Sequence, residues 1–180
     1  MKIFGIISGL VLILFSACVK EVDFELANDI ELTPAYTIPL IYSKIPQTLL
    51  VSPSGVEASR ITDIANIGNL DKFIADKLEK IELNLEINNP FDRKFLLDFI
   101  FLNNLDIETY RINQIIINEN QNAFKVKEEI LLANNKNILN TTKIELTFEL
   151  LPSSNGSIIN INTAKIFEFK SAGTLYFRVN

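Results

Sequence analysis

The chain has 180 residues, 17 Lys and Arg against 22 Asp and Glu, a net charge of -5, and neither His nor Trp. Without imidazole there is no Ser-His-Asp triad, no Cys-His pair, no His general base and no His ligand for zinc, copper or haem iron. The acidic balance also opposes nucleic acid, whose phosphates require a basic stripe; Lys125 and Lys127 come nearest to one, and they alternate with Phe124 and Val126 as a solvated strand face does.

At the N-terminus, Lys2 precedes an almost wholly apolar run over residues 3–15, then Ser16-Ala17 and the single cysteine, Cys18. A short positive start, an apolar stretch and two small residues make a secretory signal. The run falls short of the roughly 20 apolar residues of a spanning helix, and Lys20 and Glu21 follow at once. No internal disulfide can form from one cysteine. The stretch ILFSACVKEVDFE resembles a bacterial lipoprotein precursor, whose lipobox ends in small-small-Cys or a similar triplet. Phe15 departs from that pattern, Leu being the usual residue three before the cysteine. The resemblance implies diacylation of Cys18 on sulfur, cleavage before it, and membrane attachment through the lipid. Each buried acyl methylene contributes about 0.8 kcal/mol and one chain binds only marginally, so two or three chains on one residue make a stable anchor. A buried free cysteine or an uncleaved anchor is the plainer alternative. The expected layout is a signal peptide over residues 1–17, a lipidated tether over 18–35 and a β domain over 36–180.

Within that domain, YTIPLIYSKI (36–45) reads as a strand, and Pro39, which cannot donate to a ladder, favours an edge. VSPSGVEASR reads as loop. Asn69 can cap a helix in which Leu70, Phe73, Ile74, Lys77 and Leu78 share a face, placed to cover one end of the core. KIELNLEIN alternates Ile81, Leu83, Leu85 and Ile87 against Glu82, Asn84 and Glu86, the period of a half-buried strand. NNPFDR turns the chain. KFLLDFIFL is apolar on both faces, which predicts a central strand or one covered by the helix. Asp98 interrupts it; if buried it needs a partner among Arg93, Lys94 and Arg111, and an edge or end position in water is the simpler expectation.

Further strands are predicted at INQIIIN, AFKVKEEIL, KIELTFELL, GSIININ, AKIFEFK and GTLYFRV. In KIELTFELL the inward set is Ile144, Leu146, Phe148 and Leu150, with Thr147 outward. Asn-rich runs such as 134–137 read as turns. Seven to eight short strands with one short helix predict a mainly β chain, an antiparallel β-sandwich.

The order IELNLEINNPFDRKFLLDFIFLN, NTTKIELTFELLP, INTAKIFEFKSAGTLYFRVN resembles the C-terminal, Ig-like sandwich of uncharacterised Bacteroidota-type outer-membrane lipoproteins. In these a strand ending in Asn-x-Pro-Phe precedes a long second strand, and a two-strand hairpin closes the chain. The likeness covers residues 78–180 and the TPAYTIPLIYSKI stretch. A weaker one, through Asn88-Asn89-Pro90, is to the late-embryogenesis-abundant β-sandwich, from which Phe91 departs. Neither family brings catalytic residues. The chain also lacks a phosphate-cradling loop, a dinucleotide fingerprint and a calcium loop, so no cofactor is expected.

The expected function is therefore that of a non-catalytic envelope lipoprotein, held on the outer membrane through acylated Cys18 and serving an unknown envelope protein partner as an interaction or accessory module. One alternative is a carrier of lipid or another hydrophobic ligand, suggested by 48% hydrophobic residues and thirteen Phe. Another is a hydrolase built on a carboxylate pair drawn from residues such as Asp98 and Glu86. Tyr176 and Arg178 on the last strand are the expected partner contact, through pairing at a sheet edge.

Overall fold

A computed structural model describes residues 33–153 and 155–178; Cys18, the expected signal and most of the expected tether lie outside them. The domain is mainly β, two antiparallel sheets with their inner faces packed together. The first sheet has the order β1-β9-β3-β7, from strands β1 (Ala35–Pro46), β3 (Leu78–Asn88), β7 (Phe124–Leu131) and β9 (Ile166–Phe177). The second runs β2-β8-β4-β5, from β2 (Arg60–Asn66), β4 (Phe95–Leu102), β5 (Glu108–Arg111) and β8 (Lys143–Leu150), with β6 (Ile115–Ile117) also on β4. Two short helices, α1 (Gln47–Leu50) and α2 (Lys72–Lys77), and a 3-10 turn (Lys136–Asn140) complete it.

The alternating strands behave as their pattern requires. Ile81, Leu83, Leu85 and Ile87 of β3, and Ile144, Leu146, Phe148 and Leu150 of β8, all face the core. There Phe167 stacks on Phe95 at 4.8 Å and on Phe148 at 5.0 Å between ring centroids, and Phe99 packs on Phe101 at 5.1 Å. These are the tilted and edge contacts that aromatic quadrupoles favour.

Several expectations need correction. The closing hairpin is one unbroken strand, β9, and it lies between β1 and β3. Gly173 suggests a turn, but with β1 paired on one side and β3 on the other the ladder runs straight through it. GSIININ is not a strand. Ser153 Oγ and Asn155 Oδ1 both accept from the Ser157 N–H, at 3.1 and 2.9 Å, and local side-chain bonds of this kind compete with sheet pairing. β2 and β5 were not expected, so the strands number nine among the described residues. In β2 the exposed Ile64 hides the alternation. The single expected helix is α2, shorter because Leu78 already belongs to β3, and α1 was not expected; Ile74 is exposed, while Leu70 and Leu78 pack on the core.

Asp98 is neither at an edge nor at an end. β4 lies between β8 and β5/β6, and Asp98 is buried with Arg111 Nη1 at 3.4 Å. Thr147 faces outward as expected but is also buried, its hydroxyl 3.0 Å from that of Thr62.

Candidate functional site

The strand register leaves one end of the first sheet's inner face open. β1 is an edge strand, as Pro39 predicts, and its pairing with β9 shifts between Pro39 and Tyr42. Ser171, buried, closes that bulge by accepting the Ile41 N–H at 3.0 Å and donating to the Ile41 carbonyl at 3.3 Å. Beyond it Ile38 pairs with Gly173 and Tyr36 with Leu175, while on the other side Leu83 and Ile81 pair with the same two residues. Residues 66–70, Ile74 and Lys77 meet this end from the crossover after β2, and Phe101 of β4 reaches it from the second sheet.

The result is an apolar cleft of about 280 Å³. Gly173 and Leu175 form its floor, Ile38 and Leu40 one wall and residues 66–70 the other, with Phe101 and Ile138 at depth. A side chain at 173 would occupy the floor: a Cβ there lies 3.5 Å from Leu40 Cδ1 and 3.7 Å from Leu83 Cδ2, ordinary contact distances. Through Ile38 and Leu175 the cleft adjoins a groove of about 440 Å³ lined by Pro34, Tyr36, Ile74, Lys77 and Phe177. Tyr36 is 62% and Ile38 42% exposed although the register puts both on the core side of the sheet. Apolar surface left open on a core-facing side marks a place of contact.

The residues singled out from sequence lie elsewhere. Tyr176 is on the outer face of the first sheet, with Lys80 Nζ 4.3 Å from its ring centroid and its hydroxyl 3.4 Å from Glu82. Arg178 Nε is 2.8 Å from Glu79 Oε1. Because β9 is internal, the edge-pairing route to a partner strand is closed for Tyr176; Arg178 lies just past the strand, its N–H donating to the Lys77 carbonyl at 3.0 Å, so what a partner can meet is the two side chains. That face is a lattice of charge pairs. Lys127 at 2.7 Å from Glu82 holds that carboxyl below its usual range, and Lys127 and Lys80 are raised in turn by Glu82 and Glu129. Glu86 sits there too, between Lys125 at 4.0 Å and Lys170 at 3.8 Å. Asp98 is on the outer face of the other sheet, so the two carboxylates are not brought together. Among the described residues no three His, Cys, Asp or Glu side chains gather as metal ligands, and no helix is long and apolar enough to cross a membrane.

One polar cluster escaped the sequence reading. Arg93 is buried; its Nη1 is 2.5 Å from Glu57 Oε1, and Nη2 donates to the Leu151 carbonyl at 2.8 Å. Glu57 Oε1 also accepts the Ile159 N–H at 2.8 Å. Asn89, fully buried, donates to the carbonyls of Arg93 at 2.8 Å and Asn118 at 2.7 Å, and accepts the Phe91 N–H at 3.0 Å. Asn89 and Arg93 thus tie three loops to the NNPFDR turn. The signal was in that motif, which looks like any polar turn until its partners are known.

No family model matches the chain, and no curated protein matches it. Among solved structures, a candidate secreted protein from Parabacteroides distasonis gives a TM-score of 0.48 at 11% identity, covering 71% of this chain and 40% of that one. The VP2 subviral particle of infectious bursal disease virus gives 0.42 at 12% identity, over 81% of this chain and 33% of that one. Bacteriophage CBA120 tailspike protein 4 gives 0.37 at 9% identity, over 82% and 19%. This chain spans less than half the length of each.

Proposed function

We propose that the protein is a non-catalytic envelope lipoprotein, anchored to the outer membrane through acylated Cys18 and acting by contact with an envelope protein. The observation that carries this is the run ending in Ser16-Ala17-Cys18, followed after a short acidic lead by a folded β domain whose first strand begins at Ala35. Action by contact is supported by the carboxylates. Asp98 is engaged by Arg111, Glu86 is flanked by two lysines, and they occupy opposite outer faces, where no substrate bond can lie between them. Carriage of a ligand within the sandwich is disfavoured by the phenylalanines that fill its middle. Tyr176 and Arg178 remain the proposed partner contact, now by side chain alone.

Photocrosslinking from position 174 in intact cells, on the outer face of β9, tests the reading. It should capture an envelope protein, and Tyr176→Ala with Arg178→Ala should weaken that capture. Capture that survives both substitutions removes the proposed contact. A purified chain that turns over glycans or peptides, with no partner captured, contradicts the reading as a whole.

A further inference from the structure

Resting on that anchoring, the geometry points to a second contact with the membrane: we infer that the open cleft and groove at the start of β1 form a face that seats on the lipid bilayer. The occupant is identified by where the chain leaves the domain. Pro34 itself lines the groove. It follows Cys18 by 16 residues, and 16 residues fully extended span at most roughly 55 Å. An acylated Cys18 would therefore tether the domain to lipid from the point where this groove begins.

The chemistry of the face agrees. Tyr36 and Phe177 stand edge to face at its mouth, 5.9 Å apart. Ile38 and Ile74 are exposed beside them, and Lys77, whose side chain joins an aliphatic stem to a charged tip, lines the groove. Apolar bodies with polar tips are what settle at a bilayer interface, burying about 5–10 Å into the boundary between headgroups and acyl chains. Ile67, at 42% exposure, lies at the same end, since its N–H bonds the Thr142 carbonyl and the Thr142 N–H the carbonyl that ends β4. Pairing with a partner's strand fits this place less well, because Pro39 and the bulge after it interrupt the free edge of β1.

The chain has no Trp, so Tyr36→Trp and Tyr42→Trp each give a single reporter; both positions are exposed, the second on the outer face. Full-length protein purified from membranes is reconstituted in phosphatidylethanolamine and phosphatidylglycerol vesicles, with and without bromine on the acyl chains. Bromine should quench Tyr36→Trp severalfold more than Tyr42→Trp, and adding Ile74→Glu should remove most of the difference. Equal quenching of the two reporters overturns the proposal. So does a Tyr36→Trp reporter that is shielded only as protein density rises, which assigns the face to a second copy, or one shielded by a co-purifying protein and blind to bromine. The mass of the purified chain reports acylation separately. Selective quenching of a chain without acyl mass keeps the docking face and removes the anchor, whereas an acylated chain with equal quenching does the reverse.

Discussion

Asn89 shows how a residue can be readable as to element and hidden as to role. NNPFDR is a turn by composition, and it is one. That Asn89 and Arg93 are buried there depends on Asn118, Leu151, Glu57 and Ser157, which lie 29 to 64 residues away in the chain. Asn89→Ala should cost about 3 kcal/mol in urea denaturation, because several buried backbone groups lose their partner at about 1–3 kcal/mol each; a loss under about 1 kcal/mol would show that water replaces the amide. Asp98 is a parallel case: a position in water was the simpler expectation, and its burial against Arg111 follows from a short β5 that no periodicity announces. Tyr110, on that strand, donates to Glu128 at 2.9 Å, and burial followed by this bond pushes its hydroxyl up to about 12. The folded state then holds the phenolic proton more tightly than the unfolded state, whose value is near 10. The stabilisation is complete below pH 10 and is lost as pH rises toward 12. Ultraviolet titration of tyrosinate should show a last step near 12 that Tyr110→Phe deletes; a wild-type curve with every tyrosine titrating near 10 contradicts the assignment.

Among elements, strands that bury one face were legible because side chains alternate at period 2, and β3 and β8 fell in place residue by residue. The edge position of β1 followed from Pro39 for the same kind of reason, a missing donor. What alternation could not give is the pairing of β9. AKIFEFK and GTLYFRV read as two strands because Gly173 has no side chain to continue the pattern, yet β1 and β3 together hold twelve residues in one strand. The cleft was equally hidden, since it arises from a bulge, a glycine floor and a crossover segment that share no local signature. Gly173→Ala places a methyl in ordinary contact with Leu40 and Leu83 and removes the excess backbone entropy of glycine in a strand. It should therefore raise stability by roughly 0.5–1 kcal/mol while narrowing the cleft, as thermal or urea unfolding would read. A variant less stable than the parent would mean that the neighbours cannot yield and that the floor is closed.

The whole molecule is organised from its ends. β1 and β9, the first and last described strands, pair along most of their length, from Ala35 opposite Tyr176 to Pro46 opposite Ile166. The strand that starts nearest Cys18 is thus locked to the strand that ends the domain, and the open apolar face lies at the start of that pair. Length, charge and the absence of histidine bounded the chemistry from sequence, and the proposed address rests on the lipobox-like run. The fold adds a domain with a phenylalanine-filled middle, paired charges on the outer face of its first sheet, and an open apolar surface at Pro34. Anchoring, partner contact and membrane seating all depend on acylation of Cys18. Metabolic labelling with a clickable fatty acid, on full-length wild type and Cys18→Ser in the same cells, measures it directly. Label is expected on the wild-type chain and none on the serine variant, which should also retain residues 1–17; an unlabelled wild type, or a serine variant labelled as strongly, would rule out acylation at Cys18.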